Sequence, residues 1–133
     1  MDDEYVGLNE KIDDICRTAE EAVDMGTGFI VLSDRGIDES RKPVSALMAC
    51  GAVHHHLVKS AKRSKAAIIV ETGEAREVHH FCLLFGYGAD AVNPYLAYES
   101  IWKAKKEGLL DDKKLESYED IVNAYKKGTK KGI

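Results

Sequence analysis

The sequence predicts an α/β fold with a short parallel sheet. Three short apolar runs, Phe29–Ser33, Ala67–Glu71 and Ala91–Asn93, are each followed by a turn and then by a helical pattern. Strands joined through helices pair in parallel with right-handed crossovers. Three strands are few for an independent sheet, so we expect missing neighbouring strands or pairing with another chain. The chain then forms part of a barrel-like or incomplete (β/α) domain.

Size and charge limit the classes of function. The chain has 133 residues and a net charge of −4, which suit one domain and argue against a general electrostatic grip on nucleic acid. Lysines near the C-terminus, interleaved with glycines, indicate a solvated and fraying terminus. No apolar run is long enough for a membrane helix, and the acidic N-terminus does not suit a secretory signal. We therefore expect a cytoplasmic protein without membrane or nucleic-acid partners.

The first two predicted elements are a helix and a strand. Apolar residues recur three and four positions apart from residue 8 to residue 25, as in an amphipathic helix, and Gly26 and Gly28 end it. The run Phe29–Ser33 is continuously apolar, which is typical of a strand that is buried on both faces.

Helices are also predicted after each strand. Pro43 suits the first turn of a second helix that continues to about Lys62, and a third helix runs from Val78 to a glycine pair. A fourth, Tyr95–Lys106, directs Leu96, Ile101 and Trp102 inward.

A fifth predicted helix spans residues 117–127. Ser117 is its expected N-cap, and Asp120 takes the position that Glu usually has in a capping box.

Cysteine and histidine spacing argues against a metal site. Cys16, Cys50 and Cys82 are odd in number, far apart and surrounded by apolar residues, so we expect reduced, buried thiols without a catalytic role. The histidines at 54–56 and 79–80 lack the i, i+4 spacing of a helical zinc motif. Some of them are expected to be hydrogen-bonded packing residues at the junctions of helices and sheet.

Polar residues follow the strands at the edge where parallel α/β sheets bind ligands. The candidates for a ligand or channel edge are Asp34, Arg35, Glu71, Thr72, Glu74, Arg76 and Asn93. A structural interpretation stays open, in which the two arginines pair with the acidic residues and fasten loops. Backbone N–H groups at residues 72–74 could hold an anion at a helix start, although the neighbouring carboxylates oppose this.

Four long strings in this chain resemble the large subunit of glutamate synthase, in matching order and spacing. They are LSDRG at 32–36, AVHHHLV at 52–58, VETGEAREVHHF at 70–81 and GYGADAVNPYLA at 86–97. The resemblance covers about residues 29–102, and it places all 133 residues in the C-terminal part of the central domain.

The resemblance implies an enzyme that forms glutamate from 2-oxoglutarate and glutamine-derived ammonia by reduction at FMN. An iron–sulfur cluster delivers the electrons, from ferredoxin or a pyridine nucleotide. The partners implied for this segment are the amidotransferase and FMN-binding domains that it links. Neither the amidotransferase nucleophile nor the cluster cysteines have counterparts here, so no catalytic or cofactor-binding residue is carried over.

Two further hypotheses stay open. The chain is either a free-standing interaction or regulatory module with this fold and no catalysis, or a small independent enzyme that uses the polar edge. A unit that packs between two domains leaves faces bare, so we expect exposed apolar surface or homo-oligomer contacts. The isolated chain is expected to bind no FMN and to make no glutamate.

Overall fold

The computed structural model describes residues 2–40, 42–110 and 113–133, with side chains from residue 7 onward. Helices and strands alternate along most of the chain. The elements are α1 (Asp2–Asp24), β1 (Phe29–Ser33), α2 (Ala46–Lys59), a 3-10 turn (Arg63–Lys65), β2 (Ala67–Glu71), α3 (Val78–Gly86), β3 (Ala91–Asn93), α4 (Tyr95–Lys106) and α5 (Tyr118–Gly132).

The three strands form one parallel sheet in the order β1-β2-β3, as predicted. Ile30 lies opposite Ile68, and Val70 lies opposite Val92, so the register is continuous across the sheet. The sheet is open in the described residues and does not close into a barrel. The α/β prediction is therefore confirmed, including the bounds of all three strands.

The core lies on one face of the sheet. Ile30, Ile68 and Val70 point toward α2, where Val53 and Leu57 are fully buried. Helix α1 packs against α2 and adds its own apolar stripe to this cluster, which holds Cys16, Ala19 and Val23. At the general rate of ~25 cal/mol per Å² of apolar surface, this packing is the main source of stability.

The opposite face of the sheet is bare, which corrects the prediction that β1 is buried on both faces. Phe29 is 67% exposed and Val31 is 57% exposed. Side chains alternate between the two faces of a strand, and helices cover one face only in the described part of the chain. The predicted exposed apolar surface is therefore present, and we call it the bare face: the outward side chains of Phe29, Val31, Ser33, Ala67, Ile69, Glu71, Ala91 and Asn93.

Three predictions about individual residues are wrong. Pro43 lies ahead of α2, which begins at Ala46 after Ser45. Leu96 is exposed, because Ala97 and Tyr98 face inward instead. Cys82 is also exposed, because the turns of α3 direct Phe81 and Leu84 into the core.

Helices α4 and α5 form a hairpin at the end of the chain. The predicted capping box is present, since Asp120 N–H donates to Ser117 Oγ and Ser117 N–H donates to the Asp120 carboxylate. Tyr125 packs edge-on against Phe81 and Tyr98. Trp102 contacts the Tyr118 ring at right angles, with the two ring centroids 6.0 Å apart.

The lysines near the C-terminus lie in a helix, which corrects the prediction of a fraying end. Helix α5 continues to Gly132, and Lys130 and Lys131 occupy its last turn. Cations are favourable there because the carbonyl end of a helix carries partial negative charge. Among the described residues, no helix combines the length and apolar character that a bilayer crossing requires.

Candidate functional site

Ser33, Glu71 and Asn93 form a row across the carboxyl ends of the three strands. The register places Ser33 opposite Glu71 and Glu71 opposite Asn93, so all three side chains lie on the bare face. This row is the top layer of that face, above the apolar layer of Val31, Ile69 and Ala91. The parallel sheet thus brings together candidate residues that are far apart in sequence.

Glu71 is the centre of the row and accepts hydrogen bonds on both carboxylate oxygens. Ser33 Oγ donates to Oε2 over 2.6 Å, and Arg35 Nε donates to Oε1 over 2.9 Å. Asn93 Nδ2 donates to the same Oε1 over 3.2 Å. These hydrogen bonds, first that from Ser33 and then that from Arg35, lower the pKa of Glu71, so its carboxylate is ionised at neutral pH.

Arg35 joins the row to α4. Its Nη1 donates to Glu99 over 3.4 Å, and its guanidinium carbon lies 3.9 Å from the centroid of the Tyr95 ring. A guanidinium over an aromatic face is attracted by the ring quadrupole. The ion pair with Glu71 is the loop-fastening role that the structural interpretation predicts.

Asp34 holds the loop that follows β2 through hydrogen bonds. Its carboxylate accepts hydrogen bonds from Thr72 Oγ1 at 2.6 Å and from Gly73 N–H at 2.9 Å. Thr72 is fully buried, and its hydroxyl oxygen accepts the N–H of Glu74. Burial, and then the hydrogen bond to Asp34, raise the pKa of Tyr95.

These contacts argue against an anion site at residues 72–74. The N–H of Gly73 is already directed at the Asp34 carboxylate, which occupies the position of an external anion. Helix α3 begins only at Val78, so the segment is not a helix start as expected.

Glu74 and Arg76 lie apart from the row. Glu74 Oε2 accepts the N–H of Ala46 over 3.0 Å and so caps the start of α2. The backbone of Arg76 connects two helices, since its N–H donates to His80 Nδ1 and its carbonyl accepts the Tyr125 hydroxyl over 2.7 Å. Of the seven candidates, Arg35, Glu71 and Asn93 form one network, and Asp34 and Thr72 form a second one beside it.

A further polar network, at the amino ends of β2 and β3, was not predicted. Arg63 donates from Nε to His54 Nδ1 over 3.0 Å and from Nη1 to the Ala66 carbonyl over 2.8 Å. Its Nη2 donates to the Gly88 carbonyl and to Asp90 Oδ2, both over 2.8 Å. Arg63 belongs to no motif. His54, Gly88 and Asp90 lie in strings that carry the family resemblance, but nothing in those strings indicates that these residues meet.

Asp90 completes this network by bonding the backbone of β2. The N–H of Ile68 donates to Asp90 Oδ2 over 2.7 Å, at a point where β3 has not yet begun. This bond, together with Arg63, lowers the pKa of Asp90, whereas burial lowers the pKa of His54. Within the described residues, no group of three His, Cys, Asp or Glu side chains is placed to hold a metal ion.

Histidine also joins α1 to α2. His56 Nε2 pairs with Glu20, and Lys62 Nζ donates to Glu20 and Asp24 over 2.7 Å each. The hydrogen bonds of His54, His56 and His80 agree with the expectation that some of the histidines are hydrogen-bonded packing residues.

Comparison with known proteins gives one consistent family. The family of the glutamate synthase central domain matches residues 1–133. The chain is 43% identical over 133 residues to glutamate synthase [NADH] of Saccharomyces cerevisiae, which covers 96% of this chain and 6% of that protein. It is 44% identical over 126 residues to the glutamate synthase [NADPH] large chain of Bacillus subtilis, covering 95% of this chain and 8% of that protein.

A third relative carries a different electron donor in its name. The ferredoxin-dependent glutamate synthase of Pyropia yezoensis is 37% identical over 118 residues, covering 85% of this chain and 8% of that protein. The chain therefore spans less than a tenth of the length of these relatives.

Proposed function

Because this chain belongs to the family of the glutamate synthase central domain, we propose that it acts as one structural unit of a longer glutamate synthase. The parent enzyme is an oxidoreductase of glutamate biosynthesis that acts on CH–NH2 donors. In it, this segment joins the amidotransferase site to the flavin site. The observation that carries the proposal is the family match over all 133 residues.

The chemistry of the described side chains supports a structural role for this segment. Glu71 accepts hydrogen bonds on both oxygens and has a lowered pKa, which makes it a poor general base. The buried Cys50 thiol has a pKa raised to about 11, so it is a poor nucleophile. We propose that the catalytic groups lie elsewhere in the parent enzyme.

The residues here do not fit the two cofactors of the parent enzyme. The three cysteines lie on three different helices, whereas an iron–sulfur cluster needs thiolates that converge. The Gly73 N–H, which would suit an FMN phosphate, already donates to Asp34. FMN and the cluster are therefore proposed to bind outside these residues.

The carboxyl edge is proposed to border the path between the two active sites. Arg35, Glu71 and Asn93 hold one another on the bare face, and Asp34 and Thr72 fix the adjoining loop. In this role they shape the edge of a ligand or channel surface and do not react.

The proposed role of the edge is tested in the glutamate synthase polypeptide that contains this chain. We expect Arg35→Gln to lower the glutamate formed per glutamine hydrolysed, because the edge loses its link to Glu71 and Glu99. Lys106→Gln is the matched control, since Lys106 also places a cation over an aromatic ring, that of Trp102, but at the opposite end of α4 from Tyr95 and Glu99. Equal coupling ratios in both variants would contradict the edge proposal.

The assignment to glutamate synthase has its own test. Glutamate formation by the parent polypeptide is measured with glutamine, 2-oxoglutarate and a reductant, and the isolated 133-residue chain is expected to give none. Stoichiometric flavin absorbance in the purified isolated chain would overturn the proposed division of labour.

The bare face also favours a second candidate, a non-catalytic interaction module. Phe29 and Val31 expose apolar surface that suits association with other chains. Native mass spectrometry separates the two candidates. A mass that includes amidotransferase and flavin domains favours the glutamate synthase proposal. A stand-alone chain with unrelated partners favours the interaction module.

A further inference from the structure

Along one edge of β1, the backbone groups pair with no strand of the described residues. The Gly28 carbonyl accepts the Ala67 N–H over 2.9 Å, and the Asp34 N–H donates to the Glu71 carbonyl over 3.2 Å. In a parallel ladder the residues that face one neighbour alternate. The even-numbered residues of β1 therefore bond β2, while the backbones of Phe29, Val31 and Ser33 face outward, where no described strand pairs with them.

The outward edge of β1 opens into a groove that runs along α1. This groove has a volume of about 790 Å³. Its apolar lining includes Ile15 and Ala22 of α1, Leu32 of β1 and Val44 of the following loop. Charged side chains, among them Asp14, Arg17 and Lys42, also line it. Space with walls of mixed character thus lies directly beside a strand edge that pairs with no strand in the described part of the chain.

The sequence of β1 is unsuited to a permanently open edge. Natural edge strands carry charges, prolines or bulges that prevent pairing with other chains. The run Phe29–Ser33 has none of these, and four of its five residues are large and apolar. Such a strand is typical of a sheet interior, where both neighbours are present.

The path of the chain indicates where the missing neighbour enters. Helix α2 leads into β2 and α3 leads into β3, and each of these strands lies beside the strand that precedes its helix. Helix α1 leads into β1 in the same way and packs beside α2. A strand that preceded α1 would lie parallel to β1 at its open edge, because such crossovers are nearly always right-handed.

We propose that the open edge of β1 pairs with a parallel strand of the longer glutamate synthase polypeptide, one that precedes α1. This inference rests on the proposed function. The strand spans about 17 Å, the length of five residues in a parallel sheet. It is apolar on the face that extends the layer of Val31 and Ile69, and its other face meets both apolar and charged side chains of the groove.

Hydrogen exchange, resolved residue by residue, tests the proposal in the parent polypeptide. The Leu32 amide bonds β2, so it is an internal reference for an intact sheet. We expect the Val31 amide to exchange within about tenfold of Leu32 in the parent polypeptide, and at least about 100-fold faster than Leu32 in the isolated chain. Fast exchange of Val31 in the parent, beside a protected Leu32, would overturn the proposal.

Two further outcomes also decide it. In the first, the Val31 amide becomes more protected as the concentration of the isolated chain rises, but is not protected in the parent polypeptide. The edge would then pair with a second copy of the chain, and the proposal would be overturned. Mapping the strand to a segment that follows Ile133 would do the same. Glutamate formation is measured on the same sample, so an active enzyme with an unprotected Val31 rejects the strand and keeps the proposed function.

A pair of proline variants provides a second measurement. Val31→Pro removes an outward N–H, so the isolated chain is expected to stay folded, whereas Leu32→Pro removes a bond to β2 and unfolds it. In the parent polypeptide, Val31→Pro is expected to raise the exchange of the partner strand at least about tenfold. An unchanged partner strand would count against pairing at this edge.

Discussion

The two ends of the sheet each have an arginine network, but the networks differ in what they bond. At the amino ends, Arg63 donates to two backbone carbonyls and also to the side chains of His54 and Asp90. The Arg63 side chain is 21% exposed. At the carboxyl ends, the Arg35 guanidinium donates to the side chains of Glu71 and Glu99, and the Arg35 side chain is 47% exposed. The same residue type is therefore part of the framework at one end and of the surface at the other.

This difference indicates a division of labour within the fold. Backbone carbonyls hold fixed positions, so a side chain that satisfies them fixes the path of the chain. Side-chain partners in contact with water contribute less and can be exchanged without moving the backbone. In β/α folds the amino-terminal end of the sheet generally supports stability and the carboxyl-terminal end supports function. The two arginine networks agree with that rule.

The largest effect is expected at Gly88, whose carbonyl accepts from Arg63. Gly88 has φ +108, and an added Cβ would overlap the His54 ring, lying 2.7 Å from its Cβ. We expect Gly88→Ala to lower the free energy of unfolding by about 3–5 kcal/mol, from left-handed strain and overpacking together. Urea unfolding followed by circular dichroism measures it.

Gly26→Ala is the control for this substitution. Gly26 also has a positive φ, of +89, but an added Cβ meets nothing within 4 Å. Strain alone should cost about 1–2 kcal/mol. If both variants lost the same free energy of unfolding, the His54 side chain would move aside for the added Cβ at no measurable cost.

Arg63→Ala is expected to have the next largest effect. The carbonyls of Ala66 and Gly88 lose a charged donor, and Asp90 loses its cation. A loss of about 2–3 kcal/mol is expected, because two part-buried carbonyls lose a charged hydrogen-bond donor. Arg63→Lys should recover only part of it, since an ammonium cannot reach all of these acceptors. If Arg63→Lys kept the full wild-type stability, the ion pair with Asp90 alone would account for the contribution of Arg63.

The charge of Asp90 makes the amino-end network sensitive to acid. The folded-state pKa of Asp90 lies below its usual value of 3.8, so its contribution is present above about pH 4 and is lost as the pH falls through the folded pKa. Asp90→Asn should lower stability at pH 6 and flatten its pH dependence below pH 4. The urea midpoint between pH 2 and pH 6 is the measurement, and an unchanged slope would contradict it.

The smallest effect is expected from Glu71→Gln in the isolated chain. The amide oxygen can still accept from Ser33 or Arg35, and the pair with Arg35 is partly in water. The urea midpoint should fall by less than in Arg63→Ala. A larger fall would reverse the comparison and make the carboxyl end the framework of the sheet.

The sequence predicts strands well where local signals coincide. All three strands have the predicted bounds, because β-branched runs end at turn residues, and Tyr95–Lys106 follows directly from Pro94. The Ser117 and Asp120 capping box is equally local. Each of these features depends on residues within a few positions of one another, so a single sequence contains the information.

Features that depend on distant partners could not be predicted in the same way. Arg63 meets Asp90 across 27 positions. Arg63 belongs to no motif, and the string that contains Asp90 does not indicate its partner. The bare face of β1 escaped prediction because an apolar run does not reveal whether a neighbour covers it. The sequence predicted that all seven edge candidates would gather at the carboxyl ends of the strands, since parallel strands end together. Arg35, Glu71 and Asn93 do meet there, whereas the sequence did not predict that Glu74 would cap α2.

The single tryptophan of the chain provides a spectroscopic separation of two parts of the fold. Trp102 lies on α4 between the Tyr118 ring and the Lys106 ammonium, away from the sheet. Its emission maximum therefore reports whether the α4–α5 hairpin is closed, whereas far-ultraviolet dichroism averages over all helices. If fluorescence and dichroism change at different urea concentrations, the hairpin opens as a separate cooperative unit, and a single shared midpoint makes it part of the same one.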